Sequence, residues 1–319
     1  MIANPLKQGD EIRVIAPSFY KSKGDNRQQL KRAEERLQSL GYKVTFGKYL
    51  ESNFHLGTAK AEDRTEDFNN AYFDKNVKAI LAYRGGWSAN ELLPLIDWSL
   101  VAKNPKPIIG FSDITILLNA IYAKTGNVGF LGPNFRTLGQ NISWEYTLNN
   151  LEAVLKQETP LKLTRSKEWG VDKFERIKTS PWTIISKGIA EATLLGGNMG
   201  TFYLLQGTEY LPKFDKPFIF AIEDDDEAGK YTAREFSRRF ESLLQQPNFR
   251  QNLKGLILGR FQPKSKVKKK ELESMIVSKK LGEMPIVSGV DFGHTLPMLT
   301  LPIGRTISLV ASDKVSLIV

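Results

Sequence analysis

Apolar and polar positions along the first 125 residues alternate between two periods. "DEIRVIAPS" (10–18) is a short apolar run that ends in a turn, and "NRQQLKRAEERLQSLG" (26–41) follows at helical spacing, with Leu30, Ala33, Leu37 and Leu40 on one stripe and Gly41 as the stop. "YKVTFG" (42–47) predicts a second strand, and "AEDRTEDFNNAYFD" (61–74) a helix with Phe68 and Tyr72 inward. "VKAILAYRGG" (77–86) is a strand closed by a double glycine, "ANELLPLID" (89–97) a short helix, and "PIIGF" another strand that turns directly into a helix from Ile114. Strands separated by helices predict a parallel, doubly wound sheet, with ligands beyond the carboxyl ends of its strands.

The pattern changes over 136–185. "SWEYTLNNLEAVLKQ" reads as helix, but "ETPLKLTRSKEWGVDKFERIKTSPW" is polar and irregular, so we expect residues 141–185 to link an N-terminal domain (1–140) to a C-terminal one (186–319). Beyond it the strands are short and glycines denser: "GIAEATLLGG", "KPFIFAIED", "LKGLILGRF", "MPIVSGVDFG" and "ISLVASDKVSLIV", with a helix at 231–246. This half predicts more sheet than helix.

The chain has 319 residues, 41% of them hydrophobic and 25% charged, ordinary values that suffice for two domains with real cores. It has no cysteine, which excludes disulfides, zinc–thiolate sites, iron–sulfur clusters and a cysteine nucleophile. No signal peptide and no apolar run of membrane-spanning length is evident, and a cytoplasmic protein is expected. The net charge of +10 favours anionic partners. Its densest patch, "KSKVKKK" (264–270), lies between a strand and a helix, where a solvated loop is the simpler reading, and no nucleic-acid-binding motif accompanies it.

Four places could carry chemistry. The corner Gly110-Phe111-Ser112-Asp113-Ile114 has the form of a nucleophile elbow, although Ile114 stands where the second glycine of G-x-S-x-G would be. The plain alternative is that Ser112 or Asp113 caps the helix. The "RGG" after the 77–86 strand could bring backbone N–H groups against a ligand, or be an ordinary turn. Glu223 ends an apolar strand, where a carboxylate needs a partner, and heads an acidic run that could hold a cation or simply lie on the surface. Any histidine base is His55, in a polar loop, or His294, in "DFGHTLPMLTLPIG", where a purely structural role competes. Ser112, Glu223 and His294 supply one candidate for each role of a triad, all at predicted strand ends.

These segments resemble the serine peptidase family of the LD-carboxypeptidases and the microcin C immunity peptidase. The resemblance runs over nearly the whole chain, through "DEIRVIAPS", "AILAYRGGWSANELLPLIDW", "PIIGFSDITILLNAIYAKTG", "GPNF", "LLGGNMGTFYLLQGTEYLP", "IFAIEDDDE" and "DFGHTLPMLTLPIG". It implies a flavodoxin- or amidotransferase-like N-terminal domain carrying Ser112, and a swivelling β/β/α C-terminal domain carrying Glu223 and His294. It further implies an oxyanion hole from the N–H groups of Gly86 and Asp113, a homodimer, and no metal or organic cofactor. "SKEWGVDKF", "GGNMGTF" and "GHTLPMLTLPIG" are closer to the microcin-immunity branch, which cleaves peptidyl- or aminoacyl-nucleotides, than to the branch releasing D-alanine from murein tetrapeptide. In the immunity enzymes a loop aromatic can stack on adenine; Trp169 and Trp182 lie in that region, and neither is assigned the contact. A non-catalytic peptide-binding relative and a basic nucleic-acid-binding protein are the alternatives of other classes.

Overall fold

The structure, a computed structural model, describes residues 3–157, 160–171, 174–178 and 181–319. Its first sheet has five parallel strands, β1 (Glu11–Ile15), β2 (Lys43–Phe46), β3 (Val77–Ala82), β4 (Ile108–Gly110) and β5 (Gly129–Leu131), in the order 2-1-3-4-5. That order has its switch point between β1 and β3, where open parallel sheets form a crevice at their carboxyl ends. The inner strands β3, β4 and β5 are largely apolar on both faces because helices cover both: β3 has Ala79, Ile80, Leu81 and Ala82 buried, and two apolar clusters divide these residues between the faces.

The periodic helices form as expected. The helix Arg27–Ser39 is capped by Asn26, whose side chain accepts from the Gln29 N–H at 3.1 Å, and buries Ala33 and Leu37. The helix Ala61–Phe73 buries Phe68 and Tyr72. The segment 89–97 differs: a short 3-10 turn, Ala89–Leu92, stops at Pro94, which cannot continue a helix, and a new helix, Trp98–Lys103, begins at Asp97, whose side chain accepts from the Leu100 N–H.

The remaining strands are β6 (Lys162–Leu163), β7 (Glu168–Val171), β8 (Phe174–Lys178), β9 (Thr183–Ser186), β10 (Gly188–Asn198), β11 (Phe218–Glu223), β12 (Leu253–Gly259), β13 (Ile286–Val290), β14 (Leu301–Ile303), β15 (Thr306–Ala311) and β16 (Val315–Ile318). The second sheet runs 6-16-15-10-11-12-13-9, with β10 to β13 mutually parallel. β7 and β8 make a hairpin in the stretch read as irregular, and β6 and β9 edge the second sheet. β14 leaves the second half and pairs antiparallel with β5 of the first sheet.

Over its first two turns the helix Thr115–Thr125 has no exposed face: residues 115 to 121 are all buried, as expected of a segment packed on every side. It lies between the sheets and is pinned to β10. Asn119 donates to the Gly196 carbonyl at 2.8 Å and accepts from the Gly196 N–H at 3.1 Å, and the Thr115 hydroxyl accepts from the Asn198 N–H at 2.9 Å. Among the described residues no helix is long and apolar enough to cross a membrane.

Candidate active site

Ser112 follows β4 after one extended residue, Phe111, and takes a φ of 61°. This left-handed conformation costs a non-glycine residue roughly 1–2 kcal/mol, so the packing around the corner must enforce it. Neither Ser112 nor Asp113 caps the helix that follows. The Ser112 Oγ instead lies 3.0 Å from His294 Nε2, and His294 Nδ1 lies 2.8 Å from Glu223 Oε2. The same Glu223 oxygen accepts the His294 backbone N–H at 3.3 Å, which fixes ring and main chain to one carboxylate. The edge-on ring of Phe111, 5.2 Å away between centroids, braces the imidazole further.

Glu223 is the last residue of β11 and is fully buried. Its register neighbour on β10 is Asn198, the residue held by Thr115. Gly293, at φ 96°, lets the loop before His294 pass the carboxylate: a Cβ there would stand 2.4 Å from Glu223 Cγ. Burial pulls the His294 pKa down, but the charge and hydrogen bond of Glu223 outweigh it and push it up to about 9.

The double glycine after β3 closes against the same corner. A Cβ on Gly85 would lie 2.8 Å from Ser112 Cβ, and one on Gly86 2.3 Å from the Ser18 hydroxyl, so only glycine permits this approach. The Asp113 side chain binds these turns together. It accepts from the Ser18 hydroxyl at 2.6 Å and the Ala89 N–H at 2.8 Å. Burial raises its pKa, against those donors and the Arg64 guanidinium. Arg64, also buried, donates to the Pro17 and Ser88 carbonyls.

Ser112, Asp113, Gly86 and His294 line one cleft of about 650 Å³. The structure therefore brings together all five residues singled out for the site. His55 stands apart in an exposed two-residue turn paired to Thr58. The acidic run forms a wall of the same cleft. Burial, then the Asp225 and Glu223 carboxylates, push Asp224 up to about 7, while Arg239, 3.4 Å away, opposes them. Among the described residues no group of three or more histidine and acidic side chains could hold a metal ion. The lysines of 264–270 are exposed on a 3-10 turn and the start of a helix.

Two features were missed in the sequence. Trp87 donates its indole N–H to Glu227 at 2.8 Å across the cleft, a contact between residues 140 positions apart. Gly170 of the hairpin and Leu296 exchange backbone hydrogen bonds of 2.8 and 2.9 Å, so the hairpin braces the His294 loop. The alternating "EWGVDKFERIK" was a usable signal for the hairpin.

A hydroxyl, an imidazole and a buried carboxylate in series, at the carboxyl ends of strands in an α/β fold, define a serine hydrolase. The chain belongs to the LD-carboxypeptidase family and is a serine peptidase: residues 12–132 match the family's N-terminal domain and residues 191–309 its C-terminal domain. It is 37% identical to the putative carboxypeptidase YocD of Bacillus subtilis (99% of this chain, 98% of the relative). It is 29% identical to the microcin C7 self-immunity protein MccF of Escherichia coli (98% and 94%), and 29% to a probable murein peptide carboxypeptidase of B. subtilis (98% and 92%). Among solved structures, an MccF-like protein from Bacillus anthracis superposes with a TM-score of 0.96 at 37% identity (100% and 99% covered). MccF in complex with glutamyl sulfamoyl guanosine superposes at 0.87 and 26% identity (99% and 97%). The α/β architecture with two sheets agrees with these relatives.

Proposed function

We infer that this chain hydrolyses the amide between a carboxyl-terminal acyl group and an aminoacyl- or peptidyl-nucleotide through an acyl-enzyme on Ser112. The observation that carries the reading is the unbroken series Ser112 Oγ, His294, Glu223 at 3.0 and 2.8 Å. Neutral His294 takes the Ser112 proton through Nε2 as the oxygen attacks the carbonyl carbon. Glu223 holds the proton on Nδ1 and stabilises the imidazolium that forms. The N–H groups of Gly86 and Asp113, on the two turns that meet at Ser112, receive the developing oxyanion. The imidazolium then protonates the leaving nitrogen, and water, activated by the same ring, releases the acyl group. We assign the first 140 residues to the nucleophile-bearing domain and residues 186–319 to the one bearing the base, acting as a cytoplasmic homodimer.

The nucleotide branch is supported by the "SKEWGVDKF" and "GGNMGTF" segments and by the likeness to MccF, whose structures hold aminoacyl sulfamoyl nucleosides. Release of D-alanine from a murein tetrapeptide is the second reading, favoured by the murein peptide carboxypeptidase among the relatives. A paired hydrolysis assay by mass spectrometry separates them: the protein and its Ser112→Ala variant each meet a murein L,D-tetrapeptide and an aminoacyl sulfamoyl adenosine. We expect serine-dependent cleavage of the nucleoside conjugate. Cleavage of the tetrapeptide alone moves the enzyme to the other branch, and an active Ser112→Ala variant removes the mechanism.

A further inference from the structure

Beside the catalytic cleft lies a second cavity, of about 920 Å³, whose walls include Phe19, Phe54, Leu56 and Trp87. Trp87 also lines the cleft, one residue from Gly86, so the two spaces share a wall. Three of these side chains are largely in solvent: Phe54 is 69% exposed, Leu56 78% and Trp87 62%. Leu56 sits at the tip of the two-residue turn between His55 and Thr58, at φ 46°, where glycine or asparagine would fit without strain. A leucine there carries both a steric and a solvation cost that turn formation does not require. Phe19, by contrast, is held rigidly: Trp87 meets it edge-on at 5.8 Å, and the Arg84 guanidinium lies over its face at 4.4 Å. Lys60 sits 5.3 Å from the Phe54 ring.

A ligand-sized concavity with aromatic walls and a polar rim is the form taken by small-molecule sites rather than protein docking faces. Because Trp87 is a wall of both spaces, a substrate held at Ser112 has this cavity as its neighbour, and that makes the substrate its occupant. We propose that this cavity is a subsite for a flat apolar ring carried by the substrate, seated against Phe54, Leu56 and the open face of Trp87. The ring comes either from a side chain of the acyl part or from the base of the leaving group. The proposal rests on reading the neighbouring cleft as the substrate site.

Binding is measured by calorimetry on full-length Ser112→Ala protein and on the same protein carrying Phe54→Ala and Leu56→Asn. The probes are phenylalanyl and alanyl sulfamoyl adenosine and alanyl sulfamoyl ribose, which lacks the base. A ring seated in the subsite binds at least about tenfold more weakly to the triple variant, the order expected of one lost aromatic contact, whereas the base-free alanyl conjugate does not discriminate. Discrimination confined to the phenylalanyl conjugate assigns the ring to the acyl side; discrimination with both adenosine conjugates assigns it to the base. Affinities that are the same for the two proteins with every probe, or no binding to Ser112→Ala, overturn the subsite. Hydrolysis of the same conjugates by the Ser112 protein is scored separately. Discrimination without hydrolysis leaves the subsite standing and removes the proposed reaction; hydrolysis without discrimination does the reverse.

Discussion

Replacing Glu223 by Gln isolates the electrostatics of the site. His294 ordinarily titrates near 6.5; burial lowers that value, and Glu223, by charge and by its 2.8 Å hydrogen bond, carries it up to about 9. The difference amounts to about 3 kcal/mol in favour of the imidazolium, at 1.36 kcal/mol for each tenfold change. Two consequences oppose one another. A pKa raised in the folded state stabilises the fold fully below pH 6.5, and this contribution is lost as pH rises from 6.5 to about 9. A general base must be neutral, so activity climbs over the same window. We therefore expect kcat/KM of the native protein to rise on an alkaline limb centred near 9 while its Tm declines. In Glu223→Gln the adjacent charge is gone while burial and the charges of Asp225 and Asp224 remain, so the limb moves down from about 9 towards 6.5, at a much lower plateau because a neutral amide does not stabilise the imidazolium as a carboxylate does. The variant's Tm deficit is largest near pH 6 and shrinks towards pH 10. The assays are kcat/KM between pH 5 and 10.5 and thermal melts in the same buffers. A native limb at or below 6.5, or one that Glu223→Gln leaves in place, would refute the reasoning.

Gly293→Ala puts a Cβ 2.4 Å from Glu223 Cγ at φ 96°, and should cost on the order of 2–4 kcal/mol in a denaturant titration, with activity abolished; a variant as stable as the native protein would show that the loop has room the geometry denies. Ser112→Gly and Ser112→Ala both remove the hydroxyl, but only glycine relieves the φ of 61°, so the glycine variant should be the more stable by about 1 kcal/mol and equally inactive; equal stabilities would mean the corner is unstrained.

Much of the first sheet was legible because its signals are local. The stripe of Leu30, Ala33 and Leu37, and the buried pair Phe68 and Tyr72, are set by helical period alone. The double glycine after β3 and the serine corner after β4 were legible for the same reason: each is a short backbone device at a strand end. β5 and β14 were not, being three residues each and paired across a long separation; β14 also contains Pro302, which reads as a break but is tolerated on an edge strand. Ile114 looked like a defect in the elbow. It is fully buried at the start of the helix between the sheets, where a side chain that fills the core serves better than glycine. The partner of the Asp113 side chain was hidden too, since Ser18 lies 95 residues upstream and is placed by the order of the strands.

The separation of 182 residues between Ser112 and His294 raises the question of what holds a 3.0 Å contact across it. The first constraint is the helix that begins three residues after Ser112, its first two turns buried and bonded through Thr115 and Asn119 to the end of β10. The second is strand register, which sets Asn198 beside Glu223, so a hydrogen bond and one ladder step relate Thr115, three residues after Ser112, to the carboxylate. The third is Glu223 itself, which captures both the ring and the backbone of His294. None of the three uses a side chain from the 54–58 turn or from the acidic wall beyond Asp224. The proposed catalytic series is therefore built on the core, while the 54–58 turn and the acidic wall are loops. That division would let the loops change in sequence without disturbing the proposed proton path.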